Sequence, residues 1–148
     1  FAFLLPWIAR KIGRKGTHAM CLLLGAVGFL SFFLIRDPRM LIFPMIGVGI
    51  AWAGILAMPY AILAGALPAH KMGVYMGIFN FFITIPQICN GLIGGVMVKY
   101  LYGGQTIFAL VFSGICLLIA AISVFFVEDR DDPVQLAFRN RQRVRLTT

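Results

Sequence analysis

Residues 73–99, GVYMGIFNFFITIPQICNGLIGGVMVK, carry no charge before Lys99. A helix of about 20 apolar residues is long enough to cross the hydrocarbon of a bilayer, and this stretch exceeds that. Lipid offers no partner to a backbone N–H or C=O, so an apolar run of this length is driven to helix, which satisfies both internally. The stretch nevertheless holds Asn80, Thr84, Gln87 and Asn90, with Pro86 near its middle. At about 100° per residue, Gly73, Gly77, Asn80, Thr84, Gln87, Gly91, Gly94 and Gly95 fall on one side. The other sides hold Phe79, Phe81, Phe82, Ile83, Ile85, Ile88, Leu92 and Ile93. Amide side chains cost free energy in hydrocarbon unless they meet partners or water. The small-and-polar stripe therefore faces either neighbouring helices or a wet cavity.

The rest of the chain repeats the length, and its second run repeats the small-residue face. Apolar runs at 17–35, 41–67 and 107–127 join 73–99 as four expected transmembrane helices. Apolar residues make up 61% of the sequence and charged residues 12%, about half the charge of an average soluble domain. The class is therefore all-α integral membrane protein. Residues 1–9 are apolar but too short to span, and RKIGRK follows at once, the reverse of a signal peptide's order. They read as the truncated end of a helix, which makes the chain the expected C-terminal part of a longer protein. Cys21, Cys89 and Cys116 are odd in number and scattered through apolar runs, which suggests neither a disulfide framework nor a zinc site. No metal or other cofactor is implied.

The net charge of +8 reads as topology rather than nucleic-acid binding, because the bases sit in short segments between apolar runs. Arg10, Lys11, Arg14, Lys15, Lys71, Arg130, Arg139, Arg141, Arg143 and Arg145 fall on one side, against Arg36, Arg39 and Lys99 on the other. The positive-inside rule then places the basic loop 10–16, the loop 68–72 and the tail 128–148 in the cytoplasm of a multi-pass cell-membrane protein. His18 and His70 read as solvated residues at that surface. On the second run Gly47, Gly54, Met58, Ala61 and Gly65 share a face, a small-residue seam that lets another backbone approach closely. Trp52 lies near mid-depth, and Tyr60 follows Pro59. Pro59 and Pro86 each remove a backbone donor and read as helix breaks, the device by which many carriers free backbone groups near the midplane. Gln87 and Asn80 are the best candidates to bond ligand hydroxyls, since an amide both donates and accepts. Thr84, Trp52 and Tyr60 complete the candidate lining, though Trp52 also suits packing and Tyr60 also suits a tie between helices.

The block MPYAILAGALPAHKMGVYMGIFNFFITIPQICNGLIGG resembles the corresponding stretch of the sucrose–proton symporter branch of the major facilitator superfamily, within the glycoside–pentoside–hexuronide cation symporter group. The matching pieces are Pro59-Tyr60-Ala61, Met72-Gly73-Val74-Tyr75-Met76-Gly77, Asn80 and Ile85-Pro86-Gln87. Lys11-Ile12-Gly13-Arg14-Lys15 is similar to the superfamily's basic loop motif, with Lys11 for the leading Arg and Arg10 where an Asp often stands. The resemblance implies the end of the eighth helix and helices nine to twelve of a twelve-helix carrier. It implies symport of a disaccharide such as sucrose or maltose with a proton, by alternating access. It also implies that Lys11, Gly13, Arg14 and Lys15 form a gating loop. Asp37, Glu128, Asp129, Asp131 and Asp132 all lie outside the apolar runs, so the coupling carboxylate is expected in the N-terminal part of the carrier. The alternative is a non-transporting membrane subunit that packs against partner helices through its glycine-rich seams. An intramembrane enzyme would need a nucleophile–base pair or metal ligands at depth, and the runs hold none.

Overall fold

The structure, a computed structural model, describes residues 1–127 and 129. Of the expected tail 128–148, only Asp129 is therefore among the described residues; the rest of that segment lies outside them. Four long helices follow in chain order: α1 (Leu5–Leu34), α2 (Ile42–Ala66), α3 (Met72–Tyr100) and α4 (Thr106–Ser123). Single turns of tighter 3-10 helix flank them at Ala2–Leu4, Pro38–Leu41, Ala69–Lys71 and Val124–Phe126. With those turns, all four are long and apolar enough to cross a membrane.

Turn chemistry fixes the connections. Asp37 caps the turn before α2, its Oδ1 accepting from the Arg39 N–H at 2.9 Å, and Pro38 occupies the position where a missing donor costs nothing. Between α3 and α4, Gly103 and Gly104 take φ of 58° and 79°, a left-handed region that favours glycine. The Gly104 N–H then returns to the Val98 carbonyl at 2.9 Å and closes the end of α3.

The basic segment 10–16 differs from the expected loop. It is helical on both sides of one residue, Gly13, whose φ of 81° and ψ of 163° break α1 into two helices. Only a residue without Cβ enters that conformation cheaply. Fully buried Thr17 fills the break by donating its hydroxyl to the Gly13 carbonyl at 2.7 Å. The segment that precedes Gly13 is thus joined directly to the first full helix at a sharp corner.

Pro59 and Pro86 are the converse correction. Sequence alone marks both as helix breaks, yet both lie inside unbroken helices. A proline's fixed φ is itself helical; what it removes is one hydrogen bond to the carbonyl four residues earlier, and α2 and α3 carry that loss without leaving the helical path.

Helix α1 is central. The seam on α2 packs against it closely enough that a methyl group added at Gly47 would lie 2.5 Å from the Leu24 carbonyl oxygen, and one at Gly54 would lie 2.5 Å from Cys21 Cβ. Leu5, Ala9, Cys21 and Met58 form one buried cluster where the two arms of α1 meet α2. Ala19 and Leu22 form a second with Ala121 and Val124 at the end of α4. His18 lies within this packing rather than at a solvated surface: its ring meets the Gly54 backbone, and its Nδ1 is buried. Helix α3 stands apart, with no buried residue along its length.

Candidate functional site

The polar face of α3 is the candidate site. Asn80, Thr84 and Gln87 are all exposed. At Gly73, Gly77, Gly91 and Gly95 an added methyl group would meet no atom within 4 Å, so among the described residues no other helix packs against these glycines. Gly94 differs, because Asn90 folds its Oδ1 over it, 3.1 Å from where a Cβ would stand. Asn90, which periodicity sets off the centre of the stripe, is thus turned toward its own helix and the neighbouring α4.

Tyr60 joins the stripe from α2. Its hydroxyl donates to Asn80 Oδ1, and its ring stands edge-on to Phe79, centroids 5.1 Å apart at 80°. The α2–α3 turn explains the pairing. Tyr60 lies six residues before the end of α2 and Asn80 eight residues into α3, or about 9 and 12 Å from the shared turn at 1.5 Å per residue. Trp52 is not drawn into this group: it is 58% exposed on α2 and makes neither a hydrogen bond nor a ring contact among the described residues. Pro86 sits between Thr84 and Gln87 at mid-length of α3.

Two clefts lie away from these amides. One of about 330 Å³ separates the far end of α3 from the start of α4, lined by Asn90, Gly94, Gly95, Met97, Val98, Tyr102, Ala109, Phe112 and Ser113. Another of about 510 Å³ lies at the corner of α1, lined by Pro6, Ala9, Arg10, Arg14, Ala57, Met58 and Ala61. Neither includes Asn80, Thr84 or Gln87.

The residues of the basic motif form a second constellation, centred on the break in α1. Arg14 Nη1 donates to the Ala61 carbonyl at 2.9 Å and lies 3.9 Å from Asp129 Oδ1. Lys15 Nζ donates to the Phe125 carbonyl at 3.0 Å. Lys11 stays outside this group and stacks over the Trp7 ring at 3.9 Å. Carbonyls near a helix C-terminus carry partial negative charge and attract cations. Arg14 and Lys15 therefore hold the ends of α2 and α4 against the corner that Gly13 makes. Asp129, its side chain only 2% exposed, is the member that sequence reasoning missed. The signal was its place just past the fourth apolar run, but nothing in the spacing ties it to Arg14, more than a hundred residues earlier. Among the described residues, no three His, Cys, Asp or Glu side chains gather where a metal ion could be held.

The family model described as Major Facilitator Superfamily matches residues 1–148. The chain is 31% identical over 93 residues to the MFS-type transporter calB of Penicillium decumbens, covering 63% of this chain. The matched part is 16% of that relative's length. No solved structure matches the chain.

Proposed function

The chain belongs to the Major Facilitator Superfamily, and from that premise we propose that it is part of a proton-coupled carrier of a disaccharide such as sucrose or maltose, working by alternating access. The observation that carries this is the open polar face of α3: Asn80, Thr84 and Gln87 in line, with Gly77 and Gly91 on either side, beside which none of the described residues packs. From Asn80 to Gln87 the helix rises about 10 Å, the length scale of two linked sugar rings. An amide, a hydroxyl and a second amide supply both donors and acceptors along that length, which suits a ligand rich in hydroxyl groups. The assignment to the sucrose–proton symporter branch is supported by Pro59-Tyr60-Ala61, Met72–Gly77, Asn80 and Ile85-Pro86-Gln87. In this reading Lys11, Gly13, Arg14 and Lys15 belong to the gate, Arg14 and Lys15 holding helix ends together in one state. The basic corner faces the cytoplasm, and the coupling carboxylate belongs to a segment outside this chain.

The test is uptake of radiolabelled sucrose and maltose by the full-length protein at several pH values, with and without an uncoupler. Uptake that falls as pH rises and collapses with the uncoupler is the expected result. Gln87→Leu should raise KM by roughly 3- to 10-fold, the worth of one hydrogen bond, with normal membrane insertion. Unchanged kinetics would remove Gln87 from the site. A second reading, a non-transporting subunit whose partner helix fills the α3 face, is favoured by the same unfilled glycines. It predicts no uptake at any pH and a stable complex with that partner.

A further inference from the structure

We propose that Tyr60 is a positioning residue for Asn80, and that it makes position 80 a hydrogen-bond donor to the ligand. This rests on the reading of the α3 face as the sugar site. An asparagine amide has an acceptor oxygen at one end of a rigid plane and two N–H donors at the other. The Tyr60 hydroxyl donates to Oδ1, so the oxygen end is held against α2. Nδ2 lies at the opposite end of the amide, on an exposed side chain with no other hydrogen bond among the described residues. Without that tie the amide could rotate by half a turn and offer either end.

Tyr60 itself is held. Its ring stands edge-on to Phe79, 5.1 Å between centroids, a geometry that aromatic pairs favour. Phe79 immediately precedes Asn80 on α3, so one residue fixes the tyrosine that the next residue's amide needs. Pro59 stands just before Tyr60 inside an unbroken helix, and its ring limits the backbone at that point. The consequence is chemical selectivity at one end of the stripe. Position 80 offers N–H groups and seeks an acceptor oxygen of the sugar, while Gln87, which no hydrogen bond ties among the described residues, stays free to present either end of its amide.

The experiment is sucrose and maltose uptake by the full-length protein carrying Tyr60→Phe, Asn80→Asp, Asn80→Ala, or Tyr60→Phe with Asn80→Ala. Tyr60→Phe keeps the ring on Phe79 and removes only the hydroxyl, so KM should rise by about 3- to 10-fold with Vmax held within about twofold. Asn80→Asp leaves Tyr60 intact and keeps an oxygen for it to donate to, but removes both donors, so it should raise KM as much as Asn80→Ala does. The double variant should be no worse than Asn80→Ala alone, because a tyrosine that acts only through the amide has nothing left to position. A Tyr60→Phe variant that lowers Vmax at unchanged KM would make Tyr60 a tie between helices and overturn the proposal. So would an Asn80→Asp variant with wild-type KM. If Asn80→Ala and Gln87→Leu both keep wild-type KM, or neither sugar is taken up, the site reading falls and takes this inference with it. Loss of affinity in Asn80→Ala without loss in Tyr60→Phe overturns the positioning role alone.

Discussion

Adding one methyl group at Gly54 should loosen the centre of the fold, whereas adding one at Gly91 should not. A Cβ at Gly54 would fall 2.5 Å from Cys21 Cβ and 2.8 Å from Cys21 Sγ. Carbon atoms pack at about 3.5–4.0 Å, so α1 and α2 would have to part by about 1 Å. Overpacking of this kind costs about 1–3 kcal/mol, or roughly 5- to 150-fold in the equilibrium between packed and unpacked states. Cys21→Ala removes the Sγ contact but leaves Cβ in the way at 2.5 Å, so it gives only partial relief. A Cβ at Gly91 would meet none of the described residues beyond its own stretch of helix within 4 Å, and alanine is the better helix former by about 0.8–1.0 kcal/mol. The assay is thermal unfolding of the purified full-length protein in detergent. Gly54→Ala should lower Tm by about 2–8 °C, and Gly91→Ala should leave it unchanged or higher. A neutral Gly54→Ala would refute the α1–α2 seam. A Gly91→Ala as damaging as Gly54→Ala would show that the α3 face is packed, which contradicts the site.

Three further outcomes follow from the corner of α1. Gly13→Ala places a Cβ at φ 81° and ψ 163° and should cost about 1–3 kcal/mol, read as a lower Tm. Thr17→Val keeps the shape but removes the bond to the Gly13 carbonyl, costing about 1 kcal/mol by the same measurement. Arg14→Gln and Asp129→Asn should be non-additive, with a coupling of about 0.5–3 kcal/mol in a double-mutant cycle; strict additivity would mean that the pair at 3.9 Å contributes nothing.

What the sequence makes legible follows from what lipid forbids. The helices were readable as apolar runs because hydrocarbon leaves the backbone no other way to bond. The α2 seam was readable because Gly47, Gly54 and Met58 recur at helical spacing, although the spacing does not say that α1 fills it. The corner at Gly13 was hidden among basic residues, which look the same on a helix end as on a loop. Pro59 and Pro86 misled for the opposite reason: the loss of one hydrogen bond is visible in sequence, but whether the helix bends or absorbs it is decided by packing. The amides of α3 were visible by type and period. The link from Tyr60 to Asn80 was not, since it depends on the register in which the 67–71 turn sets α2 against α3. His18 looked like a surface residue only because the charged corner is near it in sequence.

Asn80, Thr84 and Gln87 should look onto water in the working carrier. In the full-length protein with Cys21, Cys89 and Cys116 replaced, single cysteines at 80, 84 and 87 should react with a membrane-impermeant thiol reagent, and sucrose or maltose should slow that reaction. Failure of all three to react in any state of the transport cycle, while a cysteine at Gly103 in the same background does, would mean that this face is sealed by protein or lipid and is not the sugar site.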